Sequence, residues 1–74
     1  MRKARIHVVR FEGLRWTTQI EGAPGASQSF PSREQAIAAG TERAKQERWE
    51  LIIHRRDGGV YSRNDFGDQR GIIG

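Results

Sequence analysis

The chain contains no cysteine among its 74 residues. Disulfide bonds and thiolate metal sites are therefore excluded, and the absence is compatible with a reducing cytoplasm. No apolar run approaches the roughly 20 residues that a membrane-spanning helix needs. After the basic start, Ile6, His7, Val8 and Val9 are too few and too interrupted for the apolar segment of a secretory signal. These features predict a soluble cytoplasmic protein.

Residue types that perform catalysis are equally scarce. His7 and His54 are the only imidazole bases, and no serine lies in a nucleophile-elbow pattern such as G-x-S-x-G. His54 could approach Asp65, but a strand histidine that stacks on Tyr61 is the simpler interpretation. The sequence therefore predicts a protein that is not an enzyme.

Patterns that bind metals or cofactors are also missing. The spacing from Asn64 to Asp68 does not match the calcium loop of an EF-hand. The glycines do not assemble into the phosphate-binding pattern G-x-G-x-x-G, so they are interpreted as turn residues. We therefore expect no metal and no cofactor.

A chain of this length forms one domain, because it cannot divide into two independent cores. Domains of this size are marginally stable, and many gain stability from a disulfide, a metal or a second subunit. Because no disulfide can form, close packing or self-association remains, and a homodimer is one expectation.

The net charge of +4 is unevenly distributed. The first 15 residues hold five basic residues and one acid, Glu12, whereas the remainder holds eight of each. Such asymmetry is typical of a protein that binds a polyanion or an acidic protein surface. A soluble protein with a basic terminus would have the same composition.

Alternating apolar and polar residues predict two strands near the start, at 4–10 and 14–21, joined by a turn at Glu12-Gly13. The proline and glycines of 22–25 indicate a loop. A short third strand is expected at 26–30, with Phe30 beside the start of a helix.

The helix has the clearest local signal. Ser32 can cap its first turn, and Gln35 can reach back to the amide of the cap, as in a capping box. The helix is expected to extend to about Arg48. Its buried stripe consists of small or medium side chains, at Ala36, Ile37, Gly40, Thr41 and Ala44. Since Gly40 lowers helix propensity by about 1 kcal/mol, we expect the backbone to lie close to the sheet there.

The most apolar run, 49–55, is predicted to be the central strand, and 59–64 its hairpin partner. Asp57-Gly58 suits a two-residue type I′ turn. That turn places Ile53 opposite Ser62 and His54 opposite Tyr61, whereas a three-residue loop would shift every pair by one. The expected fold is α+β, with one helix on one face of an antiparallel sheet of four to five strands. The domain is expected at 1–67, with 68–74 as a flexible or docking tail.

Several motifs together resemble the bacterial domain-of-unknown-function family 2188. They comprise Trp16 in an early strand, Phe30 before a helix with an Ala36-Ile37 pair, and the run from Glu50 to His54 followed by Asp57-Gly58. The family's closing Ser-Tyr-Gly is replaced by Asp65-Phe66-Gly67, and the similarity covers about 6–67. The resemblance implies a small α+β fold and implies no activity.

The sheet face opposite the helix is the predicted binding surface. The helix is expected to cover the apolar inner residues, namely Ile6, Val8, Leu14, Trp16, Ile20, Leu51, Ile53 and Val60. Arginines contact phosphates, and Tyr61 or His54 can stack on bases. The hypothetical nucleic-acid site, for DNA or RNA, is Arg2, Lys3, Arg5, His7, Arg15, Gln19, His54, Tyr61 and Arg63. Because Val9 and Ile52 share that face, a protein-interaction or self-associating module is the alternative.

Overall fold

The computed structural model describes residues 4–67. Five strands and one helix follow in the order β1 (Arg5–Glu12), β2 (Arg15–Ile20), β3 (Ala23–Phe30), α1 (Arg33–Glu47), β4 (Glu50–His54) and β5 (Val60–Asp65). The strands form one sheet in the order β3-β2-β1-β4-β5. The α+β class and the single helix are confirmed. The expected tail at 68–74 lies outside the described residues, among which no helix is long and apolar enough to cross a membrane.

The sheet is mixed, so the prediction of an antiparallel sheet was wrong. β1 and β4 are parallel neighbours at its centre, where Ile6 lies opposite Leu51 and Val8 opposite Ile53. After β3, helix α1 crosses the sheet, and the chain enters beside β1 in the same direction. Apolar alternation indicates which residues face the core, but it carries no information on the direction of a strand.

β3 is longer than predicted, because residues 23–25 belong to it and do not form a loop. Gly22, with φ of +82°, makes the turn from β2. The β2–β3 register then shifts between Thr18 and Ile20. β3 is an edge strand, where a proline and an irregular register are tolerated because one side of the strand needs no ladder partner.

The core lies between α1 and the central strands. The side chains of Ile6, Val8 and Leu51 are fully buried there. The helix contributes Ala36, Gly40 and Ala44, as its small-residue stripe predicted. A Cβ atom on Gly40 would lie 3.2 Å from Leu51 Cδ1 and 3.2 Å from Val8 Cγ2. The predicted close approach of the helix at Gly40 is confirmed.

Both ends of the helix are capped. The Ser32 hydroxyl accepts a hydrogen bond from the Gln35 amide at 3.2 Å, as predicted. The Gln35 side-chain carbonyl lies 3.4 Å from that hydroxyl, which donates to it. At the other end, Arg48 adopts a left-handed conformation with φ of +60°, and its amide bonds to the Ala44 carbonyl. The sequence did not predict this cap, because the conformation is uncommon for a non-glycine residue.

The β4–β5 connection corrects the predicted turn. The Gly58 amide donates to the Arg55 carbonyl at 3.0 Å, and Gly58 has φ of +97°. Asp57 has no positive φ, which a type I′ turn would require. The loop therefore has three residues between Arg55 and Gly59, whose backbones bond to each other.

A β-bulge at Tyr61 then restores the predicted register. Ile53 lies opposite Ser62 as expected, but His54 lies opposite Val60 and not Tyr61. Val60 is therefore on the outer face and 49% exposed. Leu14, in the β1–β2 turn, is 78% exposed. The prediction that the helix covers Val60 and Leu14 was wrong, because a turn and a bulge interrupt the alternation on which it depended.

We expect Gly40→Val to lower the free energy of unfolding by about 1–3 kcal/mol, since the new side chain would overpack the contact with Val8 and Leu51. Urea denaturation measures this change. The matched control is Ala38→Val on the exposed side of the same helix, which should cost about 0.6 kcal/mol of helix propensity. Equal losses in the two variants would contradict the close packing of Gly40.

Candidate functional site

A chain of hydrogen bonds crosses the outer face of the sheet, the face opposite α1. His7 on β1 and His54 on β4 meet with Nδ1 of the first 2.9 Å from Nε2 of the second. His54 Nδ1 also lies 3.2 Å from the Gly58 carbonyl oxygen. On the far side, His7 Nε2 lies 2.5 Å from a Glu21 carboxylate oxygen. His54 thus pairs with His7, and the predicted stacking on Tyr61 was wrong.

The arginines near these histidines on the outer face form ion pairs with carboxylates. Arg5 Nε bonds to Glu50 Oε1 at 2.9 Å, and Arg5 Nη1 lies 3.6 Å from Glu21 Oε1. Arg63 Nε lies 3.8 Å from the other Glu50 oxygen. Two of the cations predicted to contact phosphates are therefore already partly neutralised by carboxylates.

The pKa of Glu21 is lowered from its usual value of about 4.5. The hydrogen bond from His7 is the largest cause, and the charges of His7 and Arg5 act in the same direction. Glu21 therefore stays ionised at neutral pH, where it is a counter-ion of Arg5 and the hydrogen-bond partner of His7.

The middle of the outer face is buried. Ile52 is 3% exposed and Thr17 is 5% exposed, on the side of the sheet opposite α1. The Thr17 hydroxyl has no hydrogen-bond partner within the part of the chain that the structure describes. Arg15 and Gln19, on either side of Thr17 along β2, are exposed. Of the predicted site, Arg2 and Lys3 lie outside the described residues.

A second cluster lies at one end of the sheet. Because β1, β3 and β4 run in the same direction, their carboxyl ends meet at this end, beside the start of α1. We call it the arginine end, after Arg10, Arg15, Arg33, Arg55 and Arg56. The nearby acids are Glu12, Glu34 and Asp57, and the other described residues contain five bases and five acids. The excess positive charge of residues 4–67 is therefore concentrated at the arginine end.

The arginine end includes a shallow cavity of about 250 Å³. Its apolar lining comes from Leu14, Trp16 and Pro31, and its cationic lining from Arg33 and Arg56. These residues come from the β1–β2 turn and β2, from the β3–α1 loop and the start of α1, and from the β4–β5 loop, so no single sequence segment contains the cavity. A flat apolar group that carries negative charge would match both parts of this lining.

Tyr61 lies beside this cavity and not on the outer face, so its predicted placement was wrong. The Arg33 guanidinium is 4.8 Å from the Tyr61 ring centroid and 5.3 Å from that of Trp16. Arg33 therefore lies between the two rings, within the range of cation–π attraction. Tyr61 is 62% exposed, and Phe11 in the β1 bulge is 61% exposed.

The two histidines have no ring nitrogen left for a reacting substrate. Both nitrogens of His7 and both of His54 already have hydrogen-bond partners. Within residues 4–67, no three side chains of His, Cys, Asp or Glu converge where a metal ion could be held.

The sequence profile of domain-of-unknown-function family 2188, an uncharacterized protein conserved in bacteria, matches residues 6–66. This chain belongs to that family. The match includes the histidine pair, the arginine end and all of α1, and it confirms the resemblance seen in the sequence. Comparison with curated proteins and with solved structures finds no match for this family 2188 chain.

We expect Glu21→Gln to change how stability depends on pH. The folded-state pKa of Glu21 is depressed, so its contribution is present above about pH 4.5 and is lost as the pH falls through the folded-state value. The variant should be less stable than the parent at pH 6, and the difference should shrink towards pH 3. Denaturant titrations across this range measure it.

The matched control is Glu42→Gln, on the exposed side of α1. Glu42 has no ion pair or hydrogen bond from its side chain among the described residues. Its replacement should shift stability by a similar amount at every pH. A Glu21→Gln difference that does not depend on pH would contradict the counter-ion role of Glu21.

Proposed function

We propose that this family 2188 protein is a non-enzymatic module of the bacterial cytoplasm that binds single-stranded nucleic acid at the arginine end. The observation that carries the proposal is an apolar cavity lined by Arg33 and Arg56, at the same end of the sheet as Arg10, Arg15 and Arg55. Phosphates and bases require cations and flat apolar surfaces next to each other.

Three of these arginines are available for phosphates. Arg15, Arg55 and Arg56 are exposed and make no ion pair with the residues that the structure describes. A guanidinium can bind phosphate through two parallel hydrogen bonds, which makes arginine well suited to this contact. Binding these groups to a nucleic-acid backbone releases counter-ions, which favours association at low salt.

The apolar part of the surface favours an unpaired base. Leu14, Trp16 and Pro31 form the cavity lining, and the exposed Tyr61 ring lies next to it with Arg33 on one side. Bases stack on such aromatic and guanidinium surfaces only where they are not paired within a duplex. This argument applies equally to RNA and to single-stranded DNA.

The proposal places the binding site at the end of the sheet, whereas the sequence predicted it on the outer face. Arg15 belongs to both surfaces. Arg5, His7 and Arg63 have carboxylate partners, which lowers the attraction of the outer face for phosphate. His54 is bonded to His7 and Gly58. Arg10, Arg33, Arg55 and Arg56 were absent from the sequence-based hypothesis and are added to the proposed surface.

Replacement of both Arg55 and Arg56 by alanine should weaken binding at least tenfold at low salt. The slope of log affinity against log salt should fall by about 1.4, at about 0.7 for each phosphate contact to a single strand. Fluorescence anisotropy with a labelled 20-nucleotide single strand, compared with a duplex of the same sequence, measures both quantities. The duplex should bind more weakly than the single strand.

The matched control is Arg5→Ala with Arg63→Ala, which removes the same charge from the outer face. Circular dichroism verifies that both double variants are folded. The control should retain most of the affinity, whereas an equal loss would move the site back to the outer face. If the parent protein at micromolar concentration does not bind either oligonucleotide at low salt, the nucleic-acid proposal is wrong.

A self-associating module is the second candidate function. It is supported by four exposed large apolar side chains near the arginine end, at Phe11, Leu14, Val60 and Tyr61. Exposed apolar groups of this kind favour protein contacts when they form one patch. Analytical ultracentrifugation at micromolar concentration should then detect a dimer that Leu14→Asp dissociates. A monomer across that range would contradict this candidate.

A further inference from the structure

The hydrogen bonds of the histidine pair specify how many protons it holds. The Gly58 carbonyl can only accept, so His54 Nδ1 must carry a hydrogen. The ionised Glu21 carboxylate can only accept as well, so His7 Nε2 must carry another. Between the rings, His7 Nδ1 and His54 Nε2 are 2.9 Å apart, and a bond there needs one hydrogen between two nitrogens.

The four ring nitrogens therefore hold three hydrogens, one more than two neutral imidazoles carry. Removal of one proton leaves two acceptors facing each other in one of the three contacts: between the rings at 2.9 Å, at the Gly58 carbonyl, or, least favourably, at the ionised Glu21 carboxylate. Addition of a fourth hydrogen places two N–H groups between the rings and gives both rings a positive charge. Loss of a proton therefore breaks the bond between the rings or the bond to Gly58, and gain of one breaks the bond between the rings, because a hydrogen bond needs one donor and one acceptor.

We propose that His7 and His54 form a proton-binding site that holds one shared proton and fastens the β4–β5 loop to β1 only in that state. The fastening passes from β1 through His7 and His54 to the Gly58 carbonyl in the loop. No other side-chain hydrogen bond joins β1 to this loop among the described residues.

The charges around the pair stabilise a single excess proton. Glu21, after β2, contacts His7 directly, and Arg5 on β1 lies beside that carboxylate. Glu50 on β4 is held between Arg5 and Arg63, the latter on β5. On β5, Asp65 lies opposite Glu50. Glu21 is thus the carboxylate in contact with the pair, and it favours the excess proton on His7.

The fixed proton count predicts a maximum of stability near neutral pH. Histidines in an unfolded chain titrate at about pH 6.5, so both are charged at about pH 5 and both neutral at about pH 8. The folded pair holds more protons than the unfolded chain above pH 6.5 and fewer below it. Stability therefore falls in both directions, by at most about tenfold in the unfolding constant per pH unit for one proton.

Nitrogen-15 NMR of the parent protein, titrated between pH 5 and pH 9, tests the site directly. Because the proton is shared, both rings should respond in the same two macroscopic steps, rather than each ring in a step of its own. The amides of Gly58 and Gly59 should shift in the same two steps, whereas that of Gly13 in the other turn should not. Two independent titrations, one for each ring, would overturn the proposal.

A second test of the proposal uses the His7→Gln variant. Without its partner, His54 should titrate in a single step, and the maximum in the pH profile of urea denaturation should disappear. Gln19→Ala, which alters the residue opposite His7 on β2, is the control and should keep the maximum. If His7→Gln does not fold, the titration of the parent protein still decides. A maximum that persists in a folded His7→Gln protein would also overturn the proposal.

Discussion

The contact between Gly40 and the central strands is the constraint on which the rest of the fold depends. At that position a Cβ atom would lie 3.2 Å from side-chain atoms of Val8 on β1 and Leu51 on β4, which is closer than an ordinary contact. The small side chains of Ala36 and Ala44 continue the contact along α1. The helix therefore lies over the two central strands and covers their apolar side chains, which supply most of the stabilising burial.

The parallel pairing of β1 and β4 follows from the crossover through α1. It determines where both candidate functional features lie. It brings His7 beside His54 on the outer face, although 47 residues separate them in the chain. It also places the β4–β5 loop, with Arg55 and Arg56, at the same end of the sheet as the β1–β2 turn, and Arg56 lines the cavity there with Trp16 and Arg33. Reversal of β4 would move Arg55 and Arg56 to the opposite end of the sheet.

The distribution of charge separates the two features. On the outer face, each cation near the histidine pair has a carboxylate partner, and the pKa of Glu21 is lowered accordingly. At the arginine end, Arg15, Arg55 and Arg56 have no such partner among the described residues. The charges of the outer face are thus used within the protein, whereas the arginine end is the surface that we propose for a polyanion. The basic N-terminal segment, which first indicated a polyanion partner, contributes Arg10 and Arg15 to that end.

Local patterns in the sequence determined the Ser32 cap, the small-residue stripe around Gly40 and the apolar alternation of β1. Those features depend on neighbours within a few residues or on simple apolar alternation. Only the tertiary structure decided the direction of β4, the bulge that turns Tyr61 towards Arg33, and the assembly of the arginine end. The reason is physical: alternation encodes which face a residue occupies, whereas strand direction depends on how a helix packs across distant strands.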